Sequence, residues 1–252
     1  MLTKRIIPVL LLRKGALVKT RRFGKFDYIG DPCNTLRIFN ELEVDELFLL
    51  DIDASMIGRL PDFNLLEEIS DECFMPLVYG GGITSLDFAK RVFDSGFEKV
   101  ALNSSALENP SLITEIANHF GSQSVILSID VKKSLMGKLS VFSHSGKKRW
   151  AISPAIWAKR GQELGCGEIL LTSIDREGTW SGFDLDLVCK VAEVVDLPVI
   201  AHGGAGKMEH IEQVLGQSGA SAVALGSMVV YQKKDMGVLV NFPDKKLLEQ
   251  VV

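Results

Sequence analysis

Apolar residues in this chain gather in short runs, at 5–12, 46–52, 76–80, 98–103, 124–131, 168–173, 197–202 and 221–226. Each run has the length of a strand and lacks the strict alternation of a half-exposed one, which predicts strands buried on both faces. Between the runs, apolar positions recur at helical spacing over Asn34 to Leu42, Ser85 to Phe93, Pro110 to His119, Pro154 to Leu164, Asp184 to Val194 and Glu209 to Leu215. Strand and helix alternating eight times predicts an α/β fold, a closed (β/α)8 TIM barrel rather than an open sheet. Leu139 to Trp150, with Ser145-Gly146 at its centre, predicts a hairpin inserted after the fifth strand. No linker or low-complexity tract breaks the pattern, so one barrel domain spanning 1–252 is expected.

The two halves of the chain repeat each other. Gly80-Gly81-Gly82 matches Gly203-Gly204-Ala205, and Ala101-Leu102-Asn103-Ser104 matches Ala224-Leu225-Gly226-Ser227, both at an offset of 123 residues. Two motifs at one offset predict a duplicated half-barrel. Ile7 to Lys14 likewise answers Ile126 to Lys133 at an offset of 119, which pairs Leu11 with Asp130. One half has a carboxylate at that place and the other does not.

Composition narrows the class. The chain has 252 residues, 46% of them hydrophobic and 24% charged, enough for a sizeable core and the usual length of one such barrel. A net charge of −4 leaves no basic footprint for nucleic acid, and Lys147, Lys148 and Arg149 make only a short local run. Cys33, Cys73, Cys166 and Cys189 are scattered, and neither they nor the four histidines have zinc spacing, so no metal or cofactor is expected and a reducing cytoplasm suits the chain. Lys4, Arg5 and the apolar run after them imitate a short signal peptide but lack its small-residue cleavage site, and read better as a first buried strand. No stretch reaches the roughly 18 to 20 apolar residues that span a bilayer, so no membrane association is expected.

The candidate chemistry lies at the strand ends. Gly81 and Gly82 after the third strand, Gly203 and Gly204 after the seventh, and Asn103-Ser104 and Gly226-Ser227 after the fourth and eighth place backbone N–H groups and hydroxyls on the C-terminal rim. There, barrels bind phosphate, and glycine lets an anion approach the backbone closely. Two copies of the pattern predict two phosphate cradles and a phosphorylated small-molecule substrate. Asp51, Asp130 and Asp175 stand at or beyond strand ends, where barrel enzymes carry catalytic carboxylates. Asp130 closes an otherwise apolar strand and is read as a general base. Arg5, Glu46, Lys99 and Glu168 stand at the opposite, N-terminal starts of strands one, two, four and six, and their alternating sign suits a ring of ion pairs that can act as a gate.

Over essentially its whole length the sequence resembles the cyclase subunit of imidazole glycerol phosphate synthase, the HisF family. The resemblance is carried by Lys4-Arg5-Ile6-Ile7-Pro8, Val18-Lys19, Gly30-Asp31-Pro32, Asp45-Glu46-Leu47, Leu50-Asp51-Ile52, Gly80-Gly81-Gly82-Ile83, Ser128-Ile129-Asp130-Val131-Lys132, the stretch from Gly167 to Arg176, and Gly203-Gly204-Ala205-Gly206-Lys207. It implies a barrel that receives ammonia at its N-terminal face from a docked glutaminase (HisH-like) partner and uses it at the C-terminal face. It further implies that Arg5, Glu46, Lys99 and Glu168 guard the ammonia passage, that Lys19 is an active-site lysine, and that Glu177 and Gly178 belong to the second phosphate site.

The sequence departs from that family in one place that matters most. The family's two catalytic aspartates fall on positions 11 and 130, and position 11 is leucine. Glu177 stands where an aspartate is usual, and His202 where a small residue is usual. The segments Ile6 to Leu12 and Asp51-Ile52-Asp53-Ala54-Ser55 look more like a divergent branch linked to acetamidino-sugar formation in surface polysaccharides, such as lipopolysaccharide. There the barrel works with a glutaminase and a separate sugar amidotransferase. The expected function is therefore an ammonia-dependent, lyase-type synthase subunit of that branch. The alternatives are a cyclase of histidine biosynthesis and, in a different class, a non-catalytic barrel that docks and activates a glutaminase.

Overall fold

The computed structural model describes residues 4–243 and contains twelve strands among them. They are β1 (Arg5–Arg13), β2 (Ala16–Thr20), β3 (Phe26–Gly30), β4 (Leu47–Asp51), β5 (Leu77–Gly80), β6 (Lys99–Leu102), β7 (Val125–Lys133), β8 (Leu139–Ser143), β9 (Lys148–Trp150), β10 (Glu168–Ser173), β11 (Val199–His202) and β12 (Ala222–Leu225). Eight of these, one for each apolar run, pair in parallel in the order β1, β4, β5, β6, β7, β10, β11, β12, and β12 closes back onto β1 through Arg5↔Ala222 to Pro8↔Leu225. The chain is a closed (β/α)8 barrel.

The near-continuous apolar runs follow from this closure. Alternate residues of a strand point to opposite faces, and here both faces are covered. Ile7, Val9, Leu11, Phe48, Val78, Ala101, Ile126, Leu170, Ile200, Ala222 and Ala224 fill the inside of the barrel. Their neighbours, among them Ile6, Leu10, Leu12, Leu47, Leu49 and Leu127, pack outward beneath the helices.

Helices Pro32–Glu41, Phe63–Asp71, Leu86–Asp94, Ser111–Phe120, Pro154–Leu164, Leu185–Ala192 and Met208–Gln217 form the outer layer. Several begin where a side chain can satisfy a free backbone N–H. Asp31 accepts from Asn34, Asp62 from Leu65, Ser85 from Phe88, Ser153 from Ile156 and Asp184 from Leu187. Helix Pro154–Leu164 stops at Gly165, whose φ of 98° few other residues adopt. No helix among the described residues is long and apolar enough to cross a membrane.

The half-barrel repeat extends to the loops. β7 runs past the barrel rim and pairs with β8, which pairs with β9, giving the expected hairpin after the fifth barrel strand. β1 does the same in the first half, pairing with β2, which pairs with β3. This first hairpin was not anticipated from the sequence. Its turn carries Arg22 and Phe23 at φ of 54° and 56°, a left-handed conformation in residues that rarely take it, and Gly24 is the one glycine in that turn.

Candidate active site at the barrel mouth

The C-terminal ends of the strands surround a cavity of about 540 Å³. Its floor and walls include Leu11, Leu50, Asp51, Gly81, Gly82, Asn103, Ser104, Ser128, Asp130, Thr172, Glu177 and His202. Arg13, Arg59 and Lys147 bring positive charge to its edge, although Arg13 is paired with Asp53 at 3.0 Å and Arg59 with Asp51 at 2.6 Å.

Asp130 sits on the inward face of β7, two residues above Ser128 and four above Ile126. The amide Nδ2 of Asn103 lies 3.3 Å from Asp130 Oδ2, and also donates to the carbonyls of Ser128 at 3.0 Å and Phe142 at 3.3 Å. Thr172, directly across the ladder on β10, supplies a hydroxyl hydrogen bond to the same carboxyl group. The depth of the group in the barrel mouth raises its pKa to about 7, with Glu177 adding to the rise and the Thr172 hydrogen bond opposing it. A carboxyl group so tuned exchanges protons at neutral pH. Thr172 was not singled out from the sequence, but a lone inward polar residue in the run Ile169-Leu170-Leu171-Thr172 was a readable signal.

Leu11 occupies the matching inward place on β1 and is 6% exposed. Asp51 lines the cavity, but its carboxylate accepts from the backbone N–H groups of Asp53 and Ala54 and from Arg59. Burial pushes its pKa up, and these partners hold it back. Asp175 is not among the cavity-lining residues. Its carboxylate accepts from the backbone N–H of Lys133 at 2.8 Å, and so fastens the extension of β7 to the neighbouring loop.

The two glycine turns are both present on the rim. Gly81 (φ 127°) and Gly82 (φ 69°) lie against Asp51 and Arg59 so closely that a Cβ on either would sit 2.5 Å from a carbonyl oxygen. Together with Asn103 and Ser104 they face the main cavity. Gly203, Gly204, Gly226 and Ser227 line a second, much smaller recess with Lys19, Glu177, Gly178 and His202. Lys19 and Glu177, each almost fully buried, form an ion pair there. His202 donates to or accepts from Thr172 through Nδ1 at 3.2 Å, and burial beside the Lys19 charge pushes its pKa down to about 4, so the ring is neutral at pH 7.

At the other end of the barrel, Arg5 contacts Glu46 at 2.7 Å and Glu168 at 2.5 Å, while Lys99 contacts the same two carboxylates at 2.7 Å each. Four residues from four different strand starts thus form a closed square of ion pairs beneath the apolar interior.

Comparison with known proteins agrees with this geometry. The family model described as "Histidine biosynthesis protein" matches residues 5–235. A Pseudomonas aeruginosa protein bearing the provisional name imidazole glycerol phosphate synthase subunit hisF2 is 49% identical, over 99% of each chain. A Leptospira interrogans protein with the provisional name subunit HisF is 45% identical over 98% of this chain and 97% of its own. The Alkaliphilus metalliredigens imidazole glycerol phosphate synthase subunit HisF is 40% identical over 92% of each. The chain belongs to the HisF family.

Within this HisF-family barrel, the mouth brings together Asp130, Asn103, Ser104, Gly81, Gly82 and Asp51, and the recess brings together Lys19, Glu177, Gly178, Gly203, Gly204, Gly226 and Ser227. The square gathers Arg5, Glu46, Lys99 and Glu168 at the far end. Asp175 lines neither the mouth nor the recess, and its carboxylate holds the backbone of Lys133 instead.

Proposed function

We propose that the chain is the ammonia-using synthase subunit of a glutamine amidotransferase, fed from the N-terminal face by a HisH-like glutaminase. Its product serves acetamidino-sugar formation in surface polysaccharide synthesis, together with a separate sugar amidotransferase in the cytoplasm. The observation that carries this reading is the pairing of Asp130 with Leu11 at matching inward positions of the two half-barrels. One proton-handling group is kept, and its partner is a hydrocarbon.

The chemistry follows from that pairing. Ammonia attacks an electrophilic carbon through its lone pair, and the nitrogen becomes cationic as the bond forms. It must then lose a proton. Asp130, poised near neutrality and held by Asn103 and Thr172, accepts that proton. Nothing at position 11 can protonate a departing or rearranging group on the opposite wall, so reactions that need a second acid are slowed by about 10² to 10⁴. Gly81, Gly82, Asn103 and Ser104 seat a phosphate of the substrate on the rim of the cavity. The square of Arg5, Glu46, Lys99 and Glu168 gates the entry of ammonia, since the neutral molecule can pass an ion-pair ring that would retain ammonium or chloride.

A second reading is supported by the relatives named imidazole glycerol phosphate synthase subunit HisF. It makes the chain the cyclase that converts the formimino ribotide and ammonia into imidazole glycerol phosphate. Turnover of that ribotide by the purified chain with saturating ammonium salt separates the two. Family-like turnover supports the cyclase, whereas a folded, phosphate-binding chain without turnover supports the sugar-linked reading and directs the assay to sugar amidation with both partners added.

A further inference from the structure

Asp130, Thr172 and His202 stand side by side on three successive barrel strands. The parallel ladders pair Thr172 of β10 with Asp130 of β7 on one side and with His202 of β11 on the other. Thr172 and His202 each lie two residues beyond a side chain that fills the inside of the barrel, Leu170 and Ile200, so both turn inward beside Asp130. The Thr172 hydroxyl bonds to the Asp130 carboxyl group and lies 3.2 Å from His202 Nδ1. From the other side Asn103 donates to Asp130 Oδ2 at 3.3 Å, so a proton on the carboxyl group is best placed toward Thr172. The far nitrogen of the imidazole looks into the recess, where Nε2 would be 3.7 Å from a Cβ on Gly226.

A hydroxyl has one proton and a neutral imidazole has one N–H, so the state of Asp130 sets the direction of both bonds. When Asp130 is ionised, Thr172 donates to the carboxylate and accepts from Nδ1–H, and Nε2 carries a lone pair. When Asp130 is protonated and donates to Thr172, the hydroxyl donates to Nδ1, and the imidazole proton is on Nε2. The two states differ by one proton. A proton entering at Nε2 sends the Nδ1 proton to Thr172 and the hydroxyl proton to Asp130, and the reverse sequence releases a proton at Nε2. Only the carboxyl group changes charge. The charged groups facing the ring are Lys19 from β2 and Glu177 from the loop after β10, which are paired with each other. Burial and the Lys19 charge push the His202 pKa down to about 4 against the pull of Glu177, so near neutral pH the ring can exchange one N–H for the other without becoming a cation.

We infer that Thr172 and His202 are positioning residues that relay the Asp130 proton to the recess. Once Asp130 has taken a proton from the incoming nitrogen, Nε2 becomes an N–H donor beside the Gly203–Gly204 turn, and release of the proton there restores the carboxylate. The substrate that fits this relay sets a hydrogen-bond acceptor, such as a phosphate or hydroxyl oxygen, against that turn. A small side chain at position 202 would leave Thr172 without this outlet. The relay does not fill the place of Leu11, since β11 is two strands from β1 in the closed order. The inference deepens the proposed function and rests on its reading of Asp130 as the base.

The test follows the ring nitrogens of isotope-labelled histidine and the Asp130 carboxyl carbon by NMR, in the full chain, between about pH 5 and about pH 9. His202→Ser assigns the His202 signals by their loss. In the native chain the His202 proton is expected on Nδ1 above about pH 7 and on Nε2 below it, with the same midpoint as the carboxyl group. Thr172→Val, which removes the hydroxyl between them, should abolish the exchange while Asp130 still titrates. If that variant does not fold, Asp130→Asn takes its place and should hold His202 in one tautomer throughout. A single tautomer across the Asp130 titration overturns the relay and leaves the reading of Asp130 as base intact, as does an exchange that persists in the folded Thr172→Val variant. A His202 ring protonated on both nitrogens in this range also overturns it. A carboxyl group that does not titrate near neutrality overturns the relay and the base together.

Discussion

Leu11 and Asp130 occupy equivalent inward positions 119 residues apart, on the first strand of each half-barrel, and both line the same cavity. Each strand continues beyond that position into a hairpin, so the backbone setting is repeated while the chemistry is not. The duplication supplied two places for a proton-handling group, and this chain fills one with a carboxyl and the other with a side chain that belongs to the apolar interior.

Asp130→Asn is expected to lower ammonia-dependent turnover by about 10² to 10⁴, because the amide keeps the Asn103 contact but accepts no proton. The native rate should rise with pH through about 7 as the carboxyl ionises, and that rise should be absent from the residual rate of the variant. Stability should move the other way. The folded carboxyl titrates above its unfolded value, so its contribution is complete below the ordinary carboxylate range and is lost as pH rises toward 7. Urea melts at pH 4 and pH 8 should therefore show the variant gaining on the native chain at the higher pH. Equal turnover of the two proteins would remove Asp130 from the mechanism.

The ion-pair square makes a different prediction. Glu46→Ala leaves Arg5 and Lys99 with half their partners in a largely buried setting. Breaking a buried pair costs about 3–5 kcal/mol, and the partial solvent contact of the two cations reduces this to about 2–3 kcal/mol. The cost should appear as a lower urea midpoint. Burial pushes the Glu168 pKa up, but hydrogen bonds from Arg5 and Lys99 outweigh it and leave it lowered. A lowered carboxylate stabilises above its unfolded pKa and loses that stabilisation as pH falls through the folded one. The difference between native and Glu168→Gln midpoints should thus shrink in acid. For Lys99, burial opposes the charge, but the hydrogen bonds that it donates to Glu168 and Glu46 raise the pKa, so its contribution is lost only in strong alkali. A difference that stays constant from neutral pH into acid would mean that the square does not stabilise the fold.

Gly82→Ala tests the rim itself. At φ 69°, and with the Arg59 carbonyl 2.5 Å from the added Cβ, the turn must shift away from its present shape. Phosphate affinity is expected to fall about tenfold or more while the far-UV spectrum is retained, since the turn lies outside the barrel strands. Unchanged phosphate binding would show that this turn does not hold the anion.

Much of this was legible in the sequence because barrel strands buried on both faces leave an unmistakable trace. Helix Pro154–Leu164 falls where the spacing put it, and the hairpin of β8 and β9 was marked by Ser145-Gly146. The hairpin of β2 and β3 was hidden, since Ala16 to Thr20 is almost wholly buried rather than alternating and its turn uses non-glycine left-handed residues. Four separated charges were seen to suit a ring, and the structure joins them into one. The Lys19–Glu177 pair could not be read, because the two residues lie 158 positions apart and meet only when the first hairpin folds over the rim. Asp175 shows the opposite limit: a strand-end carboxylate looks the same in sequence whether it faces the cavity or a backbone N–H.

Leu11→Asp restores the missing carboxyl and asks whether position 11 alone separates this chain from a cyclase. The new side chain would face the cavity from an inward position now 6% exposed, between Val18 and Leu50 on neighbouring strands. Placing a carboxyl there costs stability, since burial without a partner is unfavourable, and the group should sit protonated at neutral pH. A protonated acid opposite a partly ionised Asp130 is the arrangement that acid–base chemistry across the cavity requires. Turnover of the formimino ribotide with ammonium is therefore expected to rise by about 10² or more over the native chain. No rise, with the variant folded, would mean that the divergence from a cyclase lies elsewhere in the cavity wall.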